Sequence, residues 1–464
     1  MQRSLFVISD LHLGGAEGYQ MCPPAGQKLL AEFVQYLTAL QGAGCQTHLV
    51  LNGDVVDFLA EEDFSSFTSS DKDATDKLDR LIQRTLPVWN ALAAFAASGA
   101  RLTLLLGNHD VELSFPGPRA LLVRTLGAHV ELIYDNEAFT DGDVIVEHGN
   151  RYDQWNVVAH DKLRATRSAL SRREPAPTDY LGPPGSQVVK QVLTPLKKEY
   201  PWIDLLKPEG QGMFPILAAI KPTAMKAMPQ FVALLAVARR VEFSDRQTPL
   251  DPQNIAATSQ AIPLAEQSAA MREALDIAGL LDPQNISGSD DDRDLLTRLK
   301  EDASATVRKY KIKLLTQALR FFTTANNNSF NTQFEQPEYL TAARASAENG
   351  FKVIVYGHTH LAKQIDLGGG AVYLNTGTWA DLMQFPASVF AEDQQAAWQQ
   401  VDEFVDDLMA KQSDKWRCRV PTFARIDFES DKVTGANIHV FESSSATPLL
   451  IAGRMDILAR KPGA

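Results

Sequence analysis

A chain of 464 residues, 45% apolar and 22% charged, has the composition of an ordinary globular protein with room for one large domain or two. Three scattered cysteines (Cys22, Cys45, Cys418) exclude a disulfide framework, and a net charge of −12 argues against indiscriminate nucleic-acid binding while leaving room for a local basic groove. No apolar run reaches the ~18 residues of a membrane span, and the opening MQRSLFVISD leads straight into a strand-like segment, so the expectation is a cytoplasmic protein without a signal peptide.

In chain order, LFVIS (5–9) is an apolar run of strand length, followed by helical periodicity over 27–41 and a second strand at THLVLN (47–52). A further helical pattern covers 76–98, with strands at RLTLLLG (101–107) and DVIVEHG (143–149). Such alternation implies an α/β layer structure with a largely buried sheet. Residues 151–350 break the rhythm: they are mostly helical in pattern, interrupted by prolines, and include the polar stretches REPAPTDYLGPPGS and SGSDDDRD. They read as a helical cap inserted into a core made of 1–150 and 351–464. The hexapeptide LDPQNI occurs twice there, at Leu250 and Leu281, and reads as a recurring Asp-Pro helix start rather than a solenoid repeat. The most apolar part of the insertion, 213–243, is broken by Pro215, Pro222 and Pro229. It suits the core of the cap, or an apolar groove at a membrane edge for a lipid-bearing substrate, with Lys221 and Lys226 at the headgroup. The alternation resumes at FKVIVYGH (351–358) and AVYLNTGT (371–378). A polar helical stretch over about 388–413 then precedes two closing strands, TFARIDFE and ANIHVFE, joined by the turn-like SDKVTG.

The polar residues at the strand ends carry the chemistry. After the first strand come Asp10 and His12; the second ends in Asp54, the third in Asn108, His109 and Asp110, the fourth in His148, and the fifth in His358 and His360. Five of the nine histidines therefore fall at such ends, where open α/β sheets place their ligands. Two carboxylates, an amide and several imidazoles, with no thiolate, suit two divalent cations, Mn²⁺ first, with Fe or Zn²⁺ as the other ions this donor set favours over Ca²⁺ or Cu⁺. Alternate positions such as Asp10/His12 and His358/His360 let two side chains converge while the middle residue packs elsewhere. Gly53, Gly107, Gly149 and Gly357 beside them permit sharp turns and close backbone approach. Asp54 could bridge two ions at roughly 3.5–4 Å, the spacing of two-metal phosphoryl chemistry. Two dications less two carboxylates and a hydroxide leave about one positive charge, which attracts phosphate.

The ordered series D-x-H, GD, GNHD, H, GHTH resembles the calcineurin-like metallophosphoesterase superfamily over residues 1–150 and about 351–384. The resemblance implies an α/β fold of four layers, with a two-sheet β-sandwich core flanked by helices, here carrying a large helical insertion. It implies that Asp10, His12 and His360 hold one metal and that Asn108, His148 and His358 hold the other, with Asp54 between them. It also implies attack on phosphorus by a metal-bound hydroxide, with His109 facing the phosphate and Asp110 fixing its tautomer. The segment EHGNRYDQWN is similar to that of UDP-2,3-diacylglucosamine pyrophosphohydrolases, although those have Arg where His109 stands and a smaller lid.

The expected activity is hydrolysis of a phosphodiester, phosphomonoester or pyrophosphate, with a small or lipid-linked phosphate compound favoured over nucleic acid. Rival readings are a nuclease of the same superfamily, which needs a continuous basic and aromatic groove, and a non-catalytic scaffold, which has no use for the full ligand set. Arg151 and Tyr152 are candidate phosphate-binding residues, and His160, Arg164 and Arg167 would share a helical face that is either solvated or lines an anion's entry. Asp57 reads as a residue behind the site or on the surface, His48, His129, His160 and His439 as core or surface histidines, Asn375 and Thr376 as turn formers buttressing the site, and Trp379 as a pocket lining.

Overall fold

The computed structural model describes residues 3–153, 156–190, 194–197, 202–207, 312–313, 315–316, 330–384, 393–410, 412–443 and 449–450. Strands β1 (Arg3–Ile8), β2 (Gln46–Asn52), β3 (Arg101–Leu105) and β4 (Glu131–Ile133) run parallel. The sheet continues beyond β1 through antiparallel β13 (Thr422–Glu429), β14 (Lys432–Val440) and β15 (Leu449–Leu450). A second sheet has the order β5 (Phe139–Asp141), β6 (Val144–Val146), β8 (Val353–Tyr356), β10 (Ala371–Asn375) and β9 (Lys363–Gly368), with β6, β8 and β10 parallel. A small third sheet joins β7 (Leu206–Lys207), β11 (Leu382–Gln384) and β12 (Arg417–Cys418).

The two-residue period of the strands builds the layers. In β1, Leu5 and Val7 pack with Val50 and Leu105 against Val144, Val146, Val353, Val355 and Leu374 of the second sheet. The alternate residues Phe6 and Ile8 pack instead with the helices α1 (Pro24–Gly42), α2 (Asp71–Arg84) and α3 (Leu86–Ala97), through Phe33, Leu37, Leu81 and Trp89. On the far side, Ile354, Tyr356 and Tyr373 are covered by Tyr339 and Ala343 of the helix Pro337–Glu348. The result is helix, sheet, sheet, helix: the mixed α/β sandwich expected from the sequence.

Three details differ from the sequence reading. The helical pattern of 76–98 is two helices, because Thr85 closes α2 and Pro87 cannot donate to a preceding turn but fits the first turn of α3. The turn SDKVTG contracts to Ser430 and Asp431, both at positive φ (48° and 65°), as a two-residue hairpin turn requires, and Lys432 already belongs to β14. The helix Pro337–Glu348 lies inside the stretch read as insertion yet supplies the outer layer of the core. The apolar stretch 213–243 and both LDPQNI copies lie outside the described residues. Among the described residues, no helix is long and apolar enough to cross a membrane.

His48 is a core histidine: 4% exposed, edge-on to Phe139 and hydrogen-bonded through Nε2 to Thr103 Oγ1 at 2.8 Å. Burial, with Arg101 and Arg3 adding, pulls its pKa down to about 3. An unfolded histidine titrates near 6.5, so the unfolded chain binds the extra proton between those values and stability falls as pH drops below ~6.5, by at most ~1.4 kcal/mol per unit. Denaturant midpoints between pH 7 and 5 should decline less steeply in His48→Gln than in the wild type; equal slopes would refute this role.

Candidate metal centre

The carboxyl ends of β1, β2, β3, β6 and β8 meet at one edge of the sandwich. Five of the residues there leave their strands in the left-handed region: Asp10 (φ 53°), His12 (43°), Asp54 (49°), His358 (71°) and His360 (62°). Non-glycine residues rarely hold that conformation, and strain of this kind collects at functional sites. The turns also press backbone against ligand-bearing side chains. A Cβ on Gly107 would lie 2.0 Å from Asp54 Oδ1, and one on Gly357 would lie 2.3 Å from Ser9 Oγ and 2.7 Å from Asp10 Oδ2.

These turns gather residues distant in sequence. His360 Nε2 lies 3.4 Å from Asp10 Oδ1 and 3.1 Å from His12 Nε2. Asp54 Oδ2 is 3.3 Å from His148 Nε2 and 3.9 Å from His12 Nε2, so its carboxylate stands between two sets of imidazoles. Among the described residues, Asp10/His12/His360, Asp54/His148/His358 and His12/Asp57/His109 are groups whose donor atoms converge closely enough to hold a cation. Asp10, His12, Asp54, Asn108, His148 and His360 are all at most 5% exposed.

The donor chemistry fits divalent ions. Among the described residues, Asp10 Oδ1 and Asn108 Oδ1 are buried acceptors with no hydrogen-bond partner, the kind of atom a cation satisfies. His148 Nδ1 lies 2.8 Å from the Asn52 carbonyl, which fixes N–H at that position and leaves the Nε2 lone pair facing Asp54. Burial opposes charge on His148, but Asp54 and then Asp10 push its pKa up to about 10. Burial likewise opposes charge on Asp54, yet His148 and His109 hold its carboxyl well below the usual range. The same groups that trap a proton here are arranged to trade it for a metal.

His109 sits beside this cluster. Its backbone N–H donates to Asp54 Oδ1 at 2.8 Å, and its ring meets His12 edge-on at 4.8 Å. The sequence reading gave Asp110 the task of fixing the His109 tautomer, and the structure corrects it. Asp110 instead accepts from the backbone N–H groups of Val55 and Gly107, both at 2.7 Å, and so braces the two loops that carry Asp54 and Asn108. The partner of His109 Nδ1 is Asp57 Oδ1 at 3.2 Å. Asp57 is 2% exposed, caps a short 3-10 turn by accepting from Leu59 and Ala60, and also approaches His12 Nδ1 at 3.6 Å. Burial opposes its charge, but His109 and His12 hold its carboxyl well below the ordinary value.

The other candidate residues have carboxylate or packing partners of their own. Tyr152 packs on Tyr356 (5.3 Å between rings) with its hydroxyl donating to Glu147 at 2.6 Å, in the outer layer of the second sheet. Arg151 pairs with the same Glu147 at 3.5 Å. Arg164 and Arg167 are both drawn to Asp135. Trp379 is fully buried against Phe33, with its indole N–H donating to the Thr422 carbonyl at 3.0 Å. Asn375 does buttress the GHTH turn, donating to the Gly357 carbonyl at 2.8 Å and to Thr359 Oγ1 at 3.0 Å.

The sequence reading left out Asp153, whose Oδ2 lies 3.0 Å from His358 Nε2. Comparison with known families adds one finding: residues 4–195 match the family model described as calcineurin-like phosphoesterase. No curated protein matches the chain.

Proposed function

We propose, from the match of residues 4–195 to the family model described as calcineurin-like phosphoesterase, that the chain is a metallophosphoesterase that hydrolyses a phosphoester or pyrophosphate with two divalent cations, Mn²⁺ favoured. The single observation that carries this reading is the convergence of Asp10, His12, Asp54, His148, His358 and His360, drawn from both ends of the chain, on one edge, all but the partly buried His358 being buried. Asp10, His12 and His360 are assigned to one cation and Asn108, His148 and His358 to the other, with Asp54 shared. Bound there, the pair would supply charge to polarise the phosphoryl oxygens and would generate a hydroxide nucleophile from water near neutral pH.

The chain's own residues do the rest. Asp54 both holds the cluster together and, through its contact with the His109 backbone, fixes where that residue starts. Asp57 accepts a hydrogen bond from His109 Nδ1–H and supports the imidazolium, whose Nε2–H would stabilise the phosphoryl charge or protonate the leaving oxygen. The core is assigned to 1–150 and 351–464 together with the helix Pro337–Glu348, and the remainder of 151–350 to selecting the substrate. A small or lipid-linked phosphate compound is favoured over nucleic acid. Besides the net charge of −12, the described arginines flanking the site, Arg151, Arg164 and Arg167, are each paired with a carboxylate instead of forming an open basic groove.

The reading is tested with bis-p-nitrophenyl phosphate and the monoester, assayed with and without Mn²⁺. Hydrolysis of at least one, abolished by a chelator and restored by Mn²⁺, is expected. A chain that binds Mn²⁺ but cleaves neither of these, nor any nucleotide, sugar-nucleotide lipid or single-stranded DNA, would instead be a scaffold.

A further inference from the structure

The loop that follows His148 returns to the cluster and touches two of its members at once. Asp153 Oδ2 lies 3.0 Å from His358 Nε2, and the same oxygen accepts from Asn156 Nδ2 at 2.7 Å. Asn156 Oδ1 in turn accepts from Asn108 Nδ2 at 3.2 Å. Asn156 is held in place by its N–H donating to the Asp153 carbonyl at 2.9 Å and by Asn150 Nδ2 donating to its carbonyl at 2.8 Å. Among the described residues, the convergent group Asp54/His148/His358 does not include Asp153.

An ionised carboxylate can only accept hydrogen bonds, and that fact sets the direction of both chains. His358 must present N–H at Nε2, which leaves its other ring nitrogen with a lone pair. Asn156 must present its NH₂ group to Asp153, so its oxygen faces Asn108. Asn108 must then present its own NH₂ group, and the atom left over is Oδ1, a buried oxygen that has no hydrogen bond among the described residues. One carboxylate thereby turns a lone pair of His358 and a lone pair of Asn108 into available metal donors. Carboxylate–histidine–metal relays of this kind fix tautomer and ring orientation.

We propose that Asp153 and Asn156 are positioning residues that polarise His358 and Asn108 for the second cation. This rests on the assignment of Asn108, His148 and His358 to that cation. Asp153→Ala should weaken the second Mn²⁺ about 10- to 100-fold and leave the first unchanged. Asp153→Asn, which keeps an acceptor but can also flip, should fall between Asp153→Ala and the wild type. Asn156→Ala, which severs only the Asn108 link, should show a smaller loss confined to the same cation.

The measurement is calorimetric titration of the metal-free full chain with Mn²⁺ alone, with the spin-coupled Mn²⁺ resonance signal as an independent readout. Equal affinities for both cations in Asp153→Ala and in the wild type would overturn the proposal, and so would a loss shared by both cations in the folded variants. If Asp153→Ala fails to fold, Asn156→Ala and Asp153→Asn decide it on the same criterion. Fewer than two Mn²⁺ bound by the wild type would instead overturn the dinuclear reading itself.

Discussion

Replacing His109 with alanine is expected to leave both cations in place and to lower turnover by roughly 10²–10⁴, the range for a general acid or charge-stabilising group. The separation follows from the geometry. His109 adjoins the cluster through its backbone N–H on Asp54 and its ring edge on His12, while its Nδ1 is engaged by Asp57. Losing the ring removes the proton donor, but the backbone contact to Asp54 survives. Asp57→Asn supplies the companion test. An amide at that position carries no charge to stabilise an imidazolium, so turnover should fall, but less than in His109→Ala. Unchanged turnover in His109→Ala, or a loss accompanied by metal loss, would remove His109 from the chemistry.

Asp54→Ala should have the largest effect. Its carboxylate is 1% exposed, lies within 3.9 Å of imidazoles from two different strand ends and accepts the His109 backbone N–H. Removing it takes away the shared oxygen donor and leaves His148 without the main charge that supports its protonated form. The variant should retain neither cation firmly. Turnover should fall on the order of 10⁴-fold or more, since Lewis acid and nucleophile are lost together. Mn²⁺ retention after desalting checks the first statement and bis-p-nitrophenyl phosphate hydrolysis the second. Two tightly retained ions in Asp54→Ala would show that this carboxylate is not shared.

How much of this was legible in the sequence depends on whether the deciding contact is local. Asp10, His12, Asp54, Asn108, His148, His358 and His360 were readable because each interrupts or ends an otherwise apolar strand, where a polar side chain has no packing role. The layers were readable for the same reason: β1, β2 and β8 alternate between two buried faces, so their sequences run apolar throughout. β4 and β5 were missed because three residues carry no period, and β9 because its polar KQIDLG resembles a loop. The partner of His109 was misassigned because Asp110 is its neighbour in the chain, whereas Asp57 reaches it only across the sheet edge. The signal for Asp57 lay in GDVVD, where an aspartate three residues past Asp54 can cap the turn that brings it back. Asp153 left no comparable signal, since its contact with His358 spans 205 residues. Arg151 and Tyr152 were read from adjacency to His148, but Glu147 claims both.

The central claim is that two cations sit side by side at the sandwich edge, and anomalous diffraction from crystals grown with Mn²⁺ tests it most directly. Two peaks are expected, one among Asp10, His12 and His360 and one among Asn108, His148 and His358, with Asp54 between them. A single peak, or peaks away from these side chains, would contradict the account.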